Sequence, residues 1–185
     1  MPKTILQKEN KVLREIAKEV PLSKIPTPKI KTVIKEMKAS LRSQSDGVAI
    51  AAPQIGYSLR IFVVSGKIFD NNFITNNEDE IEENRVQNTK ENAKPKDVIF
   101  INPKITKLSR EKEWVPEGCL SVRPFYGKTY RSKKATVTAY DEHGKKFERG
   151  GSGLLAQIFQ HETDHLNGIL FIDHAKDIKA EEVKQ

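Results

Sequence analysis

The chain has 185 residues, a length typical of one domain that can bury its own core. Its content of 37% hydrophobic and 31% charged residues is typical of a globular protein. No apolar run reaches the roughly 18 residues that a membrane span needs, and the first residues lack the apolar core of a signal peptide. We therefore expect a soluble, cytoplasmic protein with no membrane contact.

The net charge is +7, from 32 basic and 25 acidic residues, and is compatible with a polyanionic partner such as RNA. The lysines are scattered, however, and no Arg-rich stripe or alternation of aromatic and basic residues marks a known RNA module. We therefore expect no direct sequence-specific nucleic-acid binding. Ribosome association through the Lys-rich segment 175–185 is a hypothesis that rests on charge. A single cysteine, Cys119, excludes an internal disulfide.

The first half of the chain contains one clear helix signal. Apolar residues recur at helical spacing over residues 28–45, and Asp46-Gly47 ends the pattern. A weaker pattern within residues 1–25 predicts a short helical turn. Residues 47–56 are small and apolar, which is equally compatible with a tight buried turn and with close approach of a ligand. Residues 59–64 then predict a strand.

The second half begins with a change in composition. Residues 65–97 are rich in Asn, Glu, Asp and Lys without any period, which predicts a polar surface insertion. Residues 98–108 predict strands, residues 135–148 a β-hairpin, and residues 175–185 a charged tail. We expect residues 1–185 to form a single domain.

Residues 153–168 predict a short, largely buried helix around which the chain is organised. Ser152 is placed to cap its start, and Gly168 is the expected stop signal. The helix contains the motif His161-Glu162-x-x-His165. Two imidazoles one turn apart can bind the same metal ion, and the intervening Glu can reach a water on that metal. Two core or capping histidines are the alternative interpretation.

Cys119 is the natural third ligand, because a thiolate and two imidazoles leave one position open for water, as in catalytic metal sites. Gly118 beside it would permit an unusual backbone angle where the chain turns. One rival hypothesis is a zinc peptidase, with His161 and His165 joined by Glu181 or Glu182. Another is a catalytically weak binding protein that retains the same scaffold.

Three segments together resemble the signatures of peptide deformylases. They are residues 47–54 (GVAIAAPQ), 117–121 (EGCLS) and 160–166 (QHETDHL), and they occur in the family's order. The resemblance spans roughly residues 5–175. It implies an α+β fold in which antiparallel β-sheets surround the central metal-binding helix, together with an N-terminal helix. It also implies hydrolysis of the formyl group from the N-terminal formyl-methionine of nascent peptides, with release of formate.

The resemblance assigns a role to each part of the site. Cys119, His161 and His165 would hold one divalent metal ion per chain, and Glu162 would be the general base and acid for a metal-bound hydroxide that attacks the formyl carbon. The side-chain amide of Gln54 and the backbone N–H of Leu120 would stabilise the oxyanion. Glu117 would hold the loop in place. Family association favours Fe²⁺ as the physiological ion, with Zn²⁺, Ni²⁺ or Co²⁺ possible in purified protein.

The resemblance also implies a substrate pocket that receives the methionine side chain and pairs with the peptide backbone. One departure from the family pattern is Ala49, where Gly is usual. If that position needs a positive φ, its methyl group would cost about 1 kcal/mol and narrow the peptide path. Another is the segment 122–125 (VRPF), in which the Pro that commonly follows the Cys loop is displaced by one residue. Arg123 is then expected near the cleft mouth, where it either meets acidic or carbonyl groups of the peptide or is simply solvated. The expected pocket residues are Val48, Ala49, Val115, Gly118, Leu154 and Ile158.

Overall fold

The computed structural model describes residues 1–70 and 95–181, in which two α-helices and eight strands are joined by short 3-10 turns. Helix α1 is Pro28–Arg42 and helix α2 is Gly153–Leu166. Most of the predicted insertion, residues 71–94, lies outside the described residues. In the part of the chain that is described, no helix is long and apolar enough to span a membrane. The strands are β1 (Ala49–Ala51), β2 (Ile61–Val64), β3 (Val98–Leu108), β4 (Lys112–Gly118), β5 (Phe125–Ser132), β6 (Lys134–Tyr140), β7 (Lys146–Ser152) and β8 (Lys176–Ala180).

The strands form two antiparallel sheets. The larger sheet has the order β1-β2-β3-β6-β7, and the smaller has the order β4-β5-β8. Strands that follow one another in the sequence are neighbours at β1-β2, β2-β3 and β6-β7 in the larger sheet and at β4-β5 in the smaller one. The predicted α+β fold, with antiparallel sheets around one central helix, is therefore confirmed.

The larger sheet is buried on both faces at its centre. Strand β2 consists of four fully buried apolar residues, and alternate side chains point to opposite sides. Phe62 packs against Phe100 and Phe159 on the side of α2, whereas Ile61 and Val63 belong to the cluster formed with α1. This explains why β2 reads as a continuous apolar run rather than as an alternation.

Helix α2 lies between the two sheets, and its ends are set by local sequence. Ser152 is the residue that precedes the first turn, although its side chain makes no capping hydrogen bond. Gly168 adopts φ 72°, and a Cβ atom there would lie 2.6 Å from the carbonyl oxygen of Arg14. Glycine is therefore required at this stop both by conformation and by space.

One segment differs from the sequence-based expectation, and one strand is irregular. Part of the predicted charged tail is strand β8, which pairs with β5. Residues 98–108 form one strand, in which the alternation continues as predicted, but its register with β6 shifts between Ile101 and Lys104, where Asn102 adopts φ 50°. The Asn102 side chain compensates by hydrogen bonding to both the N–H and the carbonyl oxygen of Val20.

Candidate active site

Helix α2 presents two imidazoles side by side. The ring centroids of His161 and His165 are 4.9 Å apart in an edge-to-face arrangement. Ile158 and Leu154, one and two turns earlier, line the same cavity as His161. Side chains three or four residues apart lie on the same face of a helix. The predicted spacing therefore places the apolar side chains and the histidines on one face of α2.

The loop after β4 brings Cys119 to these histidines. Its Sγ atom lies 3.2 Å from Nε2 of His165, and the ligand atoms of Cys119, His161 and His165 all lie within 4.8 Å of one another. Among the described residues, this is the only cluster of three potential ligands from Cys, His, Asp and Glu side chains. One sulfur and two imidazole nitrogens form a donor set that suits a catalytic divalent metal with an open position.

The rival ligand set of a peptidase is not assembled. Glu181 is exposed just beyond β8, where its N–H donates a hydrogen bond to the carbonyl oxygen of Pro124. Its carboxylate does not join the cluster formed by the two histidines. Glu182 lies outside the described residues. The sulfur of Cys119 occupies the place that the peptidase hypothesis gives to a carboxylate.

Glu117 fixes the orientation of His161. Its Oε1 atom lies 2.6 Å from Nδ1 of His161, and its carboxylate also accepts hydrogen bonds from Arg131 and Thr129. Burial alone would raise the pKa of Glu117, but the hydrogen bonds from His161 and Arg131 outweigh it and hold the pKa well below its usual range. An ionised carboxylate only accepts, so Nδ1 of His161 carries the hydrogen and Nε2 remains free to bind a metal.

Glu162 is the buried carboxylate next to the ligands. Its side chain lines the cavity, the residue is 4% exposed, and Oε2 has no hydrogen-bond partner among the described residues. Burial raises the pKa of Glu162 to about 7, against the opposing effect of His161. The carboxylate can therefore exchange a proton near neutral pH without being committed to a structural ion pair.

Gln54 lies opposite α2 with its amide held in one orientation. Its Oε1 atom accepts a hydrogen bond from the N–H of Ala51 at 2.8 Å, so Nε2 points towards the Cys119 loop. There Nε2 lies 3.1 Å from Oγ of Ser121 and 3.7 Å from Sγ of Cys119. Leu120, the other predicted oxyanion donor, lines the same cavity.

A cavity of about 280 Å³ opens over these groups. Of the six predicted pocket residues, Val48, Ala49, Gly118, Leu154 and Ile158 line it, whereas Val115 does not. The prediction for Val115 was wrong because β4 reaches the cavity only from Pro116 onwards, so the side chain of Val115 lies too far back along the strand.

Two residues at the mouth of the cavity, Asp46 and Tyr126, were not predicted from the sequence, whereas Arg123 was expected near it. Arg123 forms an ion pair of 2.6 Å with Asp46, which joins the two sides of the mouth, and Tyr126 lies beside them. Arg131, which supports Glu117, was missed altogether. Asp46 comes from the loop before β1, Arg123 from the loop between β4 and β5, and Tyr126 and Arg131 from β5. No spacing within a single segment of sequence brings them together.

Two backbone hypotheses were also wrong. Neither Ala49 nor Gly118 has a positive φ. Ala49 is an ordinary strand residue paired with Val64, so its methyl group causes no backbone strain. Gly118 is needed for space instead, because a Cβ atom there would lie 2.5 Å from the Tyr126 ring.

The fold and the site together are those of a metal-dependent hydrolase, with a candidate Cys-His-His ligand set and an adjacent buried glutamate in an apolar cleft. Comparison with known proteins identifies the family. The family model for polypeptide deformylase matches residues 2–181. The chain is 37% identical over 163 residues to a peptide deformylase of Dehalococcoides mccartyi, covering 88% of this chain and 80% of that protein.

Comparison with solved structures identifies the same family. A peptide deformylase from Legionella pneumophila is 34% identical, with a TM-score of 0.74 over 96% of this chain and 88% of that one. A class I type b peptide deformylase from Acinetobacter baumannii, in a structure with Met-Ala-Ser bound, is 28% identical, with a TM-score of 0.75 over 94% of this chain and 99% of that one. The chain belongs to the peptide deformylase family, whose members are metal-dependent hydrolases that remove the N-formyl group from newly made proteins.

Proposed function

We propose that Cys119, His161 and His165 hold one divalent metal ion, and that Glu162, Gln54 and Leu120 carry out deformylation beside it. The observation that supports this most strongly is the convergence of the three ligand atoms within 4.8 Å, next to a buried carboxylate without a partner among the described residues. A divalent ion bound there supplies a Lewis acid and lowers the pKa of a coordinated water towards neutrality.

Glu162 is the proton-transfer group of the proposed reaction. Its carboxylate accepts the proton of the attacking water and then delivers it to the amine nitrogen as the C–N bond of the formamide breaks. The products are formate and an N-terminal ammonium group, which receives both protons of the water, so atoms and charge balance. No described residue donates a hydrogen bond to Oε2, which supports this role because a carboxylate bound by a structural donor could not accept a proton as readily.

Gln54 and Leu120 are the proposed oxyanion donors. Donors that are already oriented stabilise a developing negative charge without reorganising during the reaction. The hydrogen bond from the Ala51 N–H holds the Gln54 amide with its NH₂ group directed at the Cys119 loop. Leu120 follows Cys119 directly, which supports placing its N–H beside the same carbonyl oxygen.

Strand β1 is proposed to bind the peptide backbone. It is an edge strand of the larger sheet, paired with β2 on one side only. Val48 and Ala49 line the cavity, so an extended peptide could pair with the other side of β1. The apolar side chains of Leu154 and Ile158 would then receive the methionine. The Met-Ala-Ser tripeptide bound in the Acinetobacter baumannii structure supports a substrate of this kind.

Formate release from formyl-Met-Ala-Ser tests these roles. Glu162→Gln should lower kcat by about 10²–10⁴-fold while the protein retains one metal ion per chain. Cys119→Ser should lower metal content and activity together, because it changes a ligand. A Glu162→Gln variant with wild-type turnover would refute the proton-transfer role, and full metal content at wild-type affinity in Cys119→Ser would refute the ligand set.

We propose Fe²⁺ as the working metal. Mixed sulfur and nitrogen ligands suit several divalent ions, so this rests on family association rather than on geometry. Protein purified without oxygen should contain iron and exceed the zinc-reconstituted protein in turnover. Equal turnover of the two preparations would refute the proposal.

The cytoplasm is the proposed location, since nascent formyl-methionyl chains are the substrate. Ribosome association through residues 175–185 is a further proposal, supported by Lys176 and Lys179 on the edge strand β8. Replacing both lysines with glutamine should reduce co-sedimentation with ribosomes at low salt. Unchanged co-sedimentation would remove this segment as the contact.

A further inference from the structure

The outer face of the smaller sheet carries an exposed aromatic pair. Trp114 on β4 and Tyr130 on β5 are cross-strand partners, and their ring centroids are 5.2 Å apart at an interplanar angle of 35°. The two residues are 45% and 52% exposed. Large rings in water at the middle of a sheet contribute little to the core, because they gain only part of the free energy of burial.

Three lysines share this face with the aromatic pair. Nζ of Lys176 lies 4.6 Å from the ring centroid of Trp114, and Nζ of Lys112 lies 5.9 Å from that of Tyr130. Lys128 is two residues before Tyr130 on the same strand and therefore points to the same side. We call these five residues the aromatic-lysine face.

The acidic residues near this face do not neutralise it. Asp177 forms an ion pair of 3.7 Å with Lys128, and both side chains are more than half exposed. Glu113 and Glu117 alternate with Trp114 along β4, so they lie on the opposite side, where their cross-strand partners are Arg131 and Gly127. The aromatic-lysine face thus keeps an excess of positive charge.

We propose that the aromatic-lysine face binds single-stranded nucleic acid. Aromatic rings stack on bases of any sequence, and lysines beside them neutralise the phosphates that connect those bases. An uncharged protein partner would gain nothing from three lysines around the rings. Pairing of β4, β5 and β8 brings aromatic and basic residues from three separate segments of the sequence onto one face.

The aromatic-lysine face lies close to the substrate cleft. The β4–β5 ladder continues from Trp114 and Tyr130 to Gly118 and Tyr126, which line the cavity. Four residues of strand span about 13 Å. A bound strand of nucleic acid would therefore lie next to the mouth through which the formylated peptide enters. Binding itself does not depend on the residue roles proposed for deformylation.

The protein contains its own reporter for this interaction, since Trp114 is its only tryptophan. Titration of the metal-loaded protein with decauridylate at low salt should quench tryptophan fluorescence to saturation, because bases stack on the indole. Three phosphate-contacting lysines predict a slope of about −2 for the logarithm of the association constant against that of the salt concentration. Oligo-dT serves as the second probe. Equal quenching by both probes would identify stacking and charge as the basis, and stronger quenching by decauridylate would identify RNA as the preferred ligand.

Matched variants distinguish binding at the aromatic-lysine face from nonspecific attraction to the net positive charge of the protein. Binding of fluorescently labelled decauridylate should weaken about tenfold or more in Trp114→Ala and recover in Trp114→Phe. The triple variant K112Q/K128Q/K176Q should lose most of the salt-dependent binding. The control K29Q/K31Q/K35Q carries the same loss of charge on the exposed side of α1 and should bind as the wild type does. Formate release should be unchanged in every variant.

The proposal is overturned by any of three results. One is the absence of saturable quenching by either oligonucleotide. Another is an equal loss of binding in the two triple variants, which would show that net charge alone is responsible. The third is quenching by phosphatidylcholine–phosphatidylglycerol vesicles but not by oligonucleotides, which would identify the face as a membrane-surface contact.

Discussion

At the scale of single residues, the site depends on groups that orient the ligands. Glu117 contacts donors from two elements, β5 and α2, and its Oε1 atom lies 2.6 Å from Nδ1 of His161. A histidine held in this way presents a fixed lone pair to a metal and does not need to be ordered when the metal binds.

Replacing Glu117 with glutamine should therefore weaken metal binding. We expect a 10–100-fold loss of metal affinity, measured by competition with a chelator, since glutamine is a weaker acceptor for the Nδ1–H group. Glu111→Gln is the matched control, because Glu111 is an exposed carboxylate paired only with Lys133. Equal affinities in the two variants would show that Glu117 does not position His161.

Substitution of Gly118 tests whether the close contact between this backbone position and the Tyr126 ring shapes the mouth of the cavity. In Gly118→Ala the new methyl group would overlap the Tyr126 ring, which is 40% exposed and can move outwards only by changing the mouth of the cavity. We expect KM for formyl-Met-Ala-Ser to rise several-fold with a small change in kcat. Gly150→Ala is the control, since its nearest neighbour would be 3.8 Å away. An unchanged KM in Gly118→Ala would contradict the steric argument.

At the scale of secondary-structure elements, one buried arginine joins β4, β5 and α2. Arg131 donates to Glu117 on β4 and, at 2.7 Å, to Asp164 on α2. Both charged groups of the Arg131–Glu117 pair are almost completely buried. The smaller sheet is thus attached to the metal-binding helix by a network whose removal would leave uncompensated charge.

Arg131→Met should consequently destabilise the protein by about 3–5 kcal/mol, because it leaves the carboxylate of Glu117 buried without its cation. Urea unfolding monitored by circular dichroism measures the loss. Lys133→Met, in the exposed pair with Glu111, should cost less than about 1 kcal/mol. A similar midpoint for both variants would show that the network does not hold the elements together.

The N-terminal turn and the turn after α2 are joined by another ion pair, between Arg14 and Asp173. Burial opposes ionisation, but the hydrogen bonds from Arg14 and from the N–H of Leu170 outweigh it and lower the pKa of Asp173. A lowered folded-state pKa contributes stability above the unfolded-state pKa, near 4, and that contribution is lost as the pH falls through the folded-state value.

Asp173→Asn should therefore reduce stability at pH 7 by about 0.5 kcal/mol, a small effect because both side chains are more than a third exposed. The difference from wild type should shrink below pH 4. Urea unfolding at pH 7 and pH 3.5 measures it. A difference that grows on acidification would contradict the assigned sign.

At the scale of the whole molecule, the sequence predicts what is encoded within one segment. The period of apolar residues locates α1 and α2, and the His161-Glu162-x-x-His165 spacing places two ligands on one helix face. Cys119 could be chosen as the third ligand because the chemistry of a catalytic metal site requires one and the chain has a single cysteine.

Features that depend on strand register could not be predicted in the same way. Arg131 reaches Glu117 because β5 pairs with β4 in one register, and Val115 misses the cavity because only the end of β4 reaches it. Strand β8 is exposed along its whole length, so its composition gives no apolar alternation to distinguish it from a tail. The aromatic-lysine face likewise exists only in the paired sheet.

The central claim is that the sulfur of Cys119 and the imidazoles of His161 and His165 bind a common metal ion. X-ray absorption spectroscopy of protein loaded with iron in the absence of oxygen tests this directly. We predict a first coordination shell with one sulfur and two imidazole nitrogens, completed by oxygen, and loss of the sulfur in Cys119→Ser. A first shell in the wild type that contains only nitrogen and oxygen would contradict the account.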